Sequence, residues 1–210
     1  MESQSNDERQ KYEKVWQSDD YRKFSPGLQV IASSNIVDFF KSKGVTSILD
    51  AGCGSGQAME WLIKNHPEFR VHGFDIAANC LNPFFAGREK EFLTTGCLWA
   101  PGDMPQGYDA VYCTDVLEHI PTEHIDAVLN NLRAAAGKAA FLGIALFEDG
   151  FGPRLVGAHL HLTVKPVPWW LERVSAAGFQ VEGQMVANGK DAKPMWLYLA
   201  ATVKKPAAAS

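Results

Sequence analysis

The chain has 210 residues, enough for one domain with a sizeable core, and its 46% hydrophobic and 21% charged residues are those of an ordinary soluble globule. A formal net charge of −4 argues against a broad nucleic-acid surface. No apolar run reaches membrane-spanning length, and the polar start Met1–Lys11 has no secretory h-region. The four cysteines, Cys53, Cys80, Cys97 and Cys113, show no C-x-x-C spacing and form no metal cluster in sequence. Three of them fall in or beside expected strands, which suits reduced, buried thiols and a cytoplasmic location.

In chain order, residues 1 to about 12 read as disordered. Tyr12, Trp16, Tyr21, Arg22 and Phe24 make an aromatic-rich segment, either a lid or an N-terminal helix packed on the body. Residues 1–25 are therefore set apart as a partly disordered arm. Pro26-Gly27 breaks the chain, and Ala32, Ile36, Phe39 and Phe40 then trace one helical face that ends near Lys41, Lys43 and Gly44. Ser47–Ala51 reads as a buried strand. It turns through Gly52, Gly54 and Gly56 into a helix with Ala58, Trp61 and Leu62 at helical spacing, which stops near Asn65, before Pro67.

Phe69–Phe74 is a second strand, ending in Asp75. Ala77–Phe85 reads as a short helix, Phe92–Thr95 as a third strand, and Pro101–Pro105 as turn chemistry. Tyr108–Cys113 is a fourth strand. Ile125, Val128, Leu129 and Leu132 mark an amphipathic helix closed by Gly137. Ala139–Leu146 is the near-continuous apolar run of a buried parallel strand. From Phe147 to about Pro166 the pattern dissolves into a loop over the C-terminal edge of the sheet, and long loops in compact domains tend to carry function. Pro168, Trp169 and Trp170 start another helix, ended by Gly178. Phe179–Val186 and Met195–Val203 are the last strands, and residues 204–210 read as a loose tail.

The glycine turn after the first strand lets the backbone approach a ligand where a Cβ would clash, and the helix start offers free N–H groups. It is not the dinucleotide G-x-G-x-x-G, because Gln57 stands where the third Gly would be. Asp50 would repel a pyrophosphate and welcome a cation. The pattern Asp50-x-Gly52-x-Gly54-x-Gly56 resembles the first motif of the class I S-adenosylmethionine-dependent methyltransferases. Asp115-Val116-Leu117-Glu118-His119 is similar to the segment after the fourth strand in many small-molecule members. The resemblance spans about Ser47 to Val203.

The resemblance implies an α/β fold. It is a doubly wound, seven-stranded, mostly parallel sheet with an antiparallel C-terminal hairpin and helices on both faces, in a domain over residues 26–203. It implies S-adenosyl-L-methionine as cofactor. Asp50 would order the turn and face the ammonium end, and Gly52 and Gly54 would allow close backbone approach. Asp75, roughly 20 residues past the turn, would take the ribose. Ile76 would touch the adenine, Leu98 would pack on the ring, and Thr114 would contact the methionine part. Cys97 stands where the family usually has an acid. Arg22 would hold the cofactor carboxylate from the lid as a charge-assisted pair.

Methyl transfer from a sulfonium needs two partners in line and a group to accept a proton. His119 and His161 are the catalytic candidates, with Asp115 a weaker base; His119 could instead pack at the strand end. His159 and His161 alternate, so an extended segment would present both on one side. A metal needs three or four ligands, and with no third partner evident a metal-free site is expected. Trp169 and Trp170 could wall the acceptor or staple their helix.

The expected partner is a small-molecule, sugar or nucleotide hydroxyl or amine, with no membrane partner and an open oligomeric state. A nucleic-acid methyltransferase is the alternative. It is weakened because Cys113-Thr114-Asp115-Val116 replaces [DN]-P-P-[YF] and Cys113 follows Tyr112 rather than a proline. A cofactor-binding regulatory module is a further alternative, and the glycine spacing disfavours a dehydrogenase.

Overall fold

The structure is a computed structural model that describes residues 2–23 and 25–204, with the side chains of Glu2 and Ser3 outside the description. Phe24 of the aromatic segment and residues 205–210 of the expected tail lie outside the described residues. The helices are α1 (Glu2–Val15), α2 (Asp19–Lys23), α3 (Pro26–Ser33), α4 (Ile36–Ser42), α5 (Gln57–Asn65), α6 (Glu89–Phe92), α7 (Ile125–Ala135), α8 (Gly152–Leu155) and α9 (Val167–Ala176). The strands are β1 (Ser47–Ala51), β2 (Arg70–Asp75), β3 (Leu93–Thr95), β4 (Tyr108–Thr114), β5 (Ala136–Ala145), β6 (Phe179–Asn188) and β7 (Pro194–Val203).

The strands form one seven-stranded sheet in the order β3-β2-β1-β4-β5-β7-β6. Its first five strands are parallel, and β7 runs antiparallel to both β5 and β6. This is the doubly wound architecture expected from the resemblance. Strand alternation divides the core into two layers, because successive side chains point to opposite faces. Leu49, Val111 and Leu142 face a layer built with Leu129 and Leu132 of α7 and Trp170 and Val174 of α9. Ile48, Tyr112 and Phe141 face the other layer, with Ile31 of α3, Phe40 of α4 and Met59 and Leu62 of α5. Connections from β1 lead to one side of the sheet and those from β4 to the other. The crevice beyond the C-terminal ends of β1 and β4 is therefore the place where such sheets bind ligands.

Several local expectations differ from the structure. The expected disordered leader is helix α1, held by tertiary contacts: Asn79 Nδ2 donates to Glu13 O at 2.9 Å, and Trp16 just beyond the helix is 7% exposed. The single helix through Ala32 and Phe40 is two, broken at Ser34 and Asn35. Residues 77–82 are not helical. Asp75 Oδ1 accepts the Ala77 N–H, and Asn82 caps only the short 3₁₀ turn Pro83–Phe85. Gly137 does not close α7 but lies inside β5, where its N-terminal end pairs with Tyr108.

Candidate active site

The glycine turn hangs from the end of β2. Gly52 and Cys53 donate to Phe74 O at 2.7 and 3.2 Å, and Gly54 N donates to Asp75 Oδ2 at 2.9 Å. Gly52 has φ +78°, and a Cβ there would sit 2.3 Å from Val116 Cγ2. Gly54 has φ +52°, and a Cβ there would come within 2.8 Å of the Trp16 indole. Both positions thus need a residue without a side chain, for backbone reasons and for space.

Two carboxylates flank this turn. Asp75, 8% exposed, accepts from Gly54 N and Ala77 N. Burial raises its pKa, and the backbone N–H groups offset part of that rise. Asp50, 5% exposed, is pushed up to about 8, first by burial and then by the charge of Asp75. An acid-lined, desolvated crevice of this kind stabilises a cation that enters it.

The cleft has two connected halves. Gly52, Gly54 and Asp115 line both. Asp75, Ile76 and Leu98 line one half, as does His119. Asp50, Thr114 and Gly27 line the other. Trp16 and Tyr21 stand in both halves, with ring centroids 4.9 Å apart. The free space is about 90 Å³ on the Asp75 side and about 60 Å³ on the Asp50 side, below the ~300 Å³ that small-molecule pockets usually start from. The arm therefore fills part of the crevice.

Arg22 is placed otherwise than expected. Its guanidinium donates to the carbonyls of Asn79, Cys80 and Leu81 at 2.6 to 3.3 Å, outside the two halves of the cleft. These bonds make it a clasp between α2 and the segment after β2, and a carboxylate-holding role does not fit. Asp50, Gly52, Gly54, Asp75, Ile76, Leu98 and Thr114 do come together around the crevice. Cys97 is buried, and its N–H donates to Asp103 Oδ2 at 2.9 Å.

Beyond β4 the chain bends through Asp115, whose φ is +60°, into the short 3₁₀ turn Leu117–His119. Glu118 is fully buried and His119 9% exposed. The loop from Phe147 carries His161 back against them. Asp149 Oδ2 accepts from Leu160 N and His161 N, and Leu162 N and Thr163 N both donate to Glu118 O. Thr163 Oγ1 donates to Ile120 O at 2.7 Å. The rings of His119 and His161 meet edge to face, 4.7 Å between centroids. His119 Nδ1 lies 2.9 Å from the Tyr12 hydroxyl, and His161 Nδ1 lies 2.5 Å from Phe147 O.

Burial pushes the His119 pKa down to about 3, so its ring is neutral at pH 7. Burial raises the carboxyls of Asp115, to about 6, and Glu118, with the charge of Asp115 adding to the rise at Glu118. His159 does not share the face of His161: its side chain is 53% exposed and its Nδ1 meets Asp149 O. The segment curls around Asp149 instead of running as a strand, which breaks the expected alternation.

The sequence reading missed Glu118 as a site residue and missed its grouping with Asp115 and His161. The spacing of Asp115, Glu118 and His119 was a signal, since a tight turn puts such residues on one side. The loop's place over the sheet end, with His161 as an acceptor-side candidate beside His119, agrees with the ring contact observed, whereas nothing in the aperiodic loop announced the contact with Glu118.

Residues 49–142 match a family model described as a methyltransferase domain. Trans-aconitate 2-methyltransferase from Rhodopseudomonas palustris (strain BisB18) is 28% identical over 116 residues, covering 50% of this chain and 41% of that protein. The match thus spans less than half the length of that relative. Among solved structures, magnesium protoporphyrin IX methyltransferase from Synechocystis PCC 6803 with bound S-adenosylhomocysteine aligns at 21% identity, over 84% of this chain and 83% of that one, with a TM-score of 0.61. An O-methyltransferase from neocarzinostatin biosynthesis, in complex with S-adenosyl-L-homocysteine and 1,4-dihydroxy-2-naphthoic acid, aligns at 16% identity, over 81% of this chain and 52% of that one, with a TM-score of 0.58. At these identities the likeness is one of fold. Among the described residues no helix is long and apolar enough to cross a membrane.

Proposed function

We propose that this chain, whose residues 49–142 match a methyltransferase-domain family model and whose sheet has the order β3-β2-β1-β4-β5-β7-β6, is an S-adenosylmethionine-dependent methyltransferase that methylates a hydroxyl or amine of a small molecule, sugar or nucleotide. The observation that carries the reading is the pair of buried carboxylates, Asp50 and Asp75, on either side of a glycine turn at the sheet's switch point. Such a lining suits a cationic, phosphate-free donor, beside which the carboxyls ionise, and offers a pyrophosphate no cation. Bound there, S-adenosylmethionine supplies a methyl group that is already activated for displacement.

The chain's own residues then bind and orient. Asp75 accepts hydrogen bonds from the ribose hydroxyls, Ile76 and Leu98 pack against the adenine, and Gly52 and Gly54 let the backbone come close. Asp50 takes the ammonium end, with Thr114 beside it. Trp16 and Tyr21 of the arm shield the reacting atoms from water once they re-close. His119 and His161 face the acceptor side. His119 is neutral but a weak proton acceptor, because burial holds its pKa at about 3. His161, whose Nδ1 meets the carbonyl of Phe147, has Nε2 as its open ring atom.

Calorimetry with S-adenosylmethionine tests the donor, followed by assay of S-adenosylhomocysteine release against panels of sugars, nucleosides and small hydroxylated or aminated acids. Binding without release against any panel member would favour the regulatory-module reading, and no binding at all would overturn both. Asp75→Ala weakens donor binding by about 1–3 kcal/mol, the range for a buried hydrogen-bonded carboxylate. Unchanged affinity would remove Asp75 from the ribose.

A further inference from the structure

At the acceptor end of the cleft, Asp115, Glu118, His119 and His161 each point one donor atom into the same small volume, all within 4.8 Å of one another. Glu118 is fully buried, and its Oε2 has no hydrogen-bond partner, while its Oε1 accepts from Ala145 N at 2.8 Å. A buried carboxylate oxygen left without a partner is costly, and Glu118 belongs to this cluster of four groups. The hydrogen bond at His161 Nδ1 to the Phe147 carbonyl is the kind of outer contact that fixes a ligating imidazole and leaves Nε2 for the ion.

We propose that these four side chains bind one divalent first-row metal ion. Two imidazoles with two carboxylates suit Mn²⁺, Fe²⁺, Co²⁺ or Zn²⁺. The all-oxygen sets of Mg²⁺ and Ca²⁺ and the sulfur sets of Cu⁺ are different. Donors about 2.1 Å from an ion stand about 3 to 4 Å apart, so donors at the 4.8 Å limit close on the ion by about 0.8 Å each at most. The elements that hold the ligands are fixed: the left-handed bend at Asp115, the 3₁₀ turn, and the Asp149 and Thr163 bonds that seat the His161 segment.

Asp115 and His119 line the same cavity as Gly54 and Asp75, which puts the ion beside the methyl donor. Its use there rests on the methyltransferase reading, whereas metal binding itself does not. An acceptor hydroxyl that joins the ion as a further ligand loses its proton to solvent more readily. Its oxygen then bonds to the methyl carbon as the C–S bond breaks and leaves its electron pair on sulfur.

The test is titration of the full chain with Mn²⁺, followed by the loss of the free-ion signal in electron paramagnetic resonance. One ion binds per chain. Glu118→Gln, which keeps the oxygen that meets Ala145, and His161→Ala, on a surface loop, each weaken it at least tenfold while circular dichroism shows the fold intact. His159→Ala leaves binding unchanged. No bound Mn²⁺, or equal binding by wild type, Glu118→Gln and His161→Ala, would overturn the site. Calorimetry with S-adenosylmethionine on the metal-free chain separates the two ideas: donor binding with no metal site leaves the transferase standing and the metal refuted, and a metal site with no donor binding does the reverse.

Discussion

Asp50 shows how a single carboxyl can couple binding to pH. In the free chain it is held up to about 8 by burial and by Asp75, so it is protonated at pH 7. An ammonium placed against it favours the ionised form and lowers that pKa. Donor binding therefore releases a proton, and affinity rises with pH up to about 8, below which the free chain carries the proton. Calorimetry at pH 7 in two buffers of different ionisation heat measures the release directly. The expectation is a release that disappears in Asp50→Asn, and identical heats in both buffers for the wild type would place the ammonium elsewhere. At Gly52 the demand is steric: φ +78° and a Val116 methyl 2.3 Å from the site of a Cβ leave no room for any other residue.

Among the elements, the arm matters most. Its α2 end is clasped by Arg22 to the segment that follows Asp75, and Gln57 Nε2 donates to Arg22 O at 2.9 Å. Its Trp16 lies on the glycine turn. Entry of a donor of nucleoside size requires this arm to move. Arg22→Ala loosens the clasp, so donor association is faster and amide exchange in α1 increases. An unchanged association rate in stopped flow would mean that the arm does not gate entry.

How much of this was readable beforehand follows from the period of each element. β1, the glycine turn and α5 were legible because an apolar run, three glycines and a helical stripe follow one another without a gap. α7, α9 and the last two strands were legible by the same kind of repeat. α1 was not, since its residues are polar and its order comes from contacts with Asn79 and His119 that lie far away in sequence. The crevice residues Asp50 and Asp75 could be read from spacing. The meeting of Glu118 with His161 could not, because it depends on how Asp149 and Thr163 fold an aperiodic loop.

For the whole molecule, the sheet separates two apolar layers that among the described residues share no helix, and the crevice opens where connections leave β1 and β4 in opposite directions. Stability and site geometry are therefore linked through the strands. Trp170, fully buried in the α7–α9 layer and 4.9 Å edge to face from Trp169, staples α9 to the sheet. Trp170→Ala costs about 3–5 kcal/mol, seen as a lower denaturant midpoint. A loss under about 1 kcal/mol would show that the layer can collapse around the void.

The left-handed turn at Asp115 has a consequence for what the position can ever hold. Such a backbone is comfortable for glycine, asparagine and aspartate and strained for longer or branched residues. Of those three only aspartate carries a charge. A glutamate would keep the charge and lose the bend, and an asparagine would keep the bend and lose the charge. Substitution there has no gradual route, because each neighbouring choice surrenders one of the two properties outright.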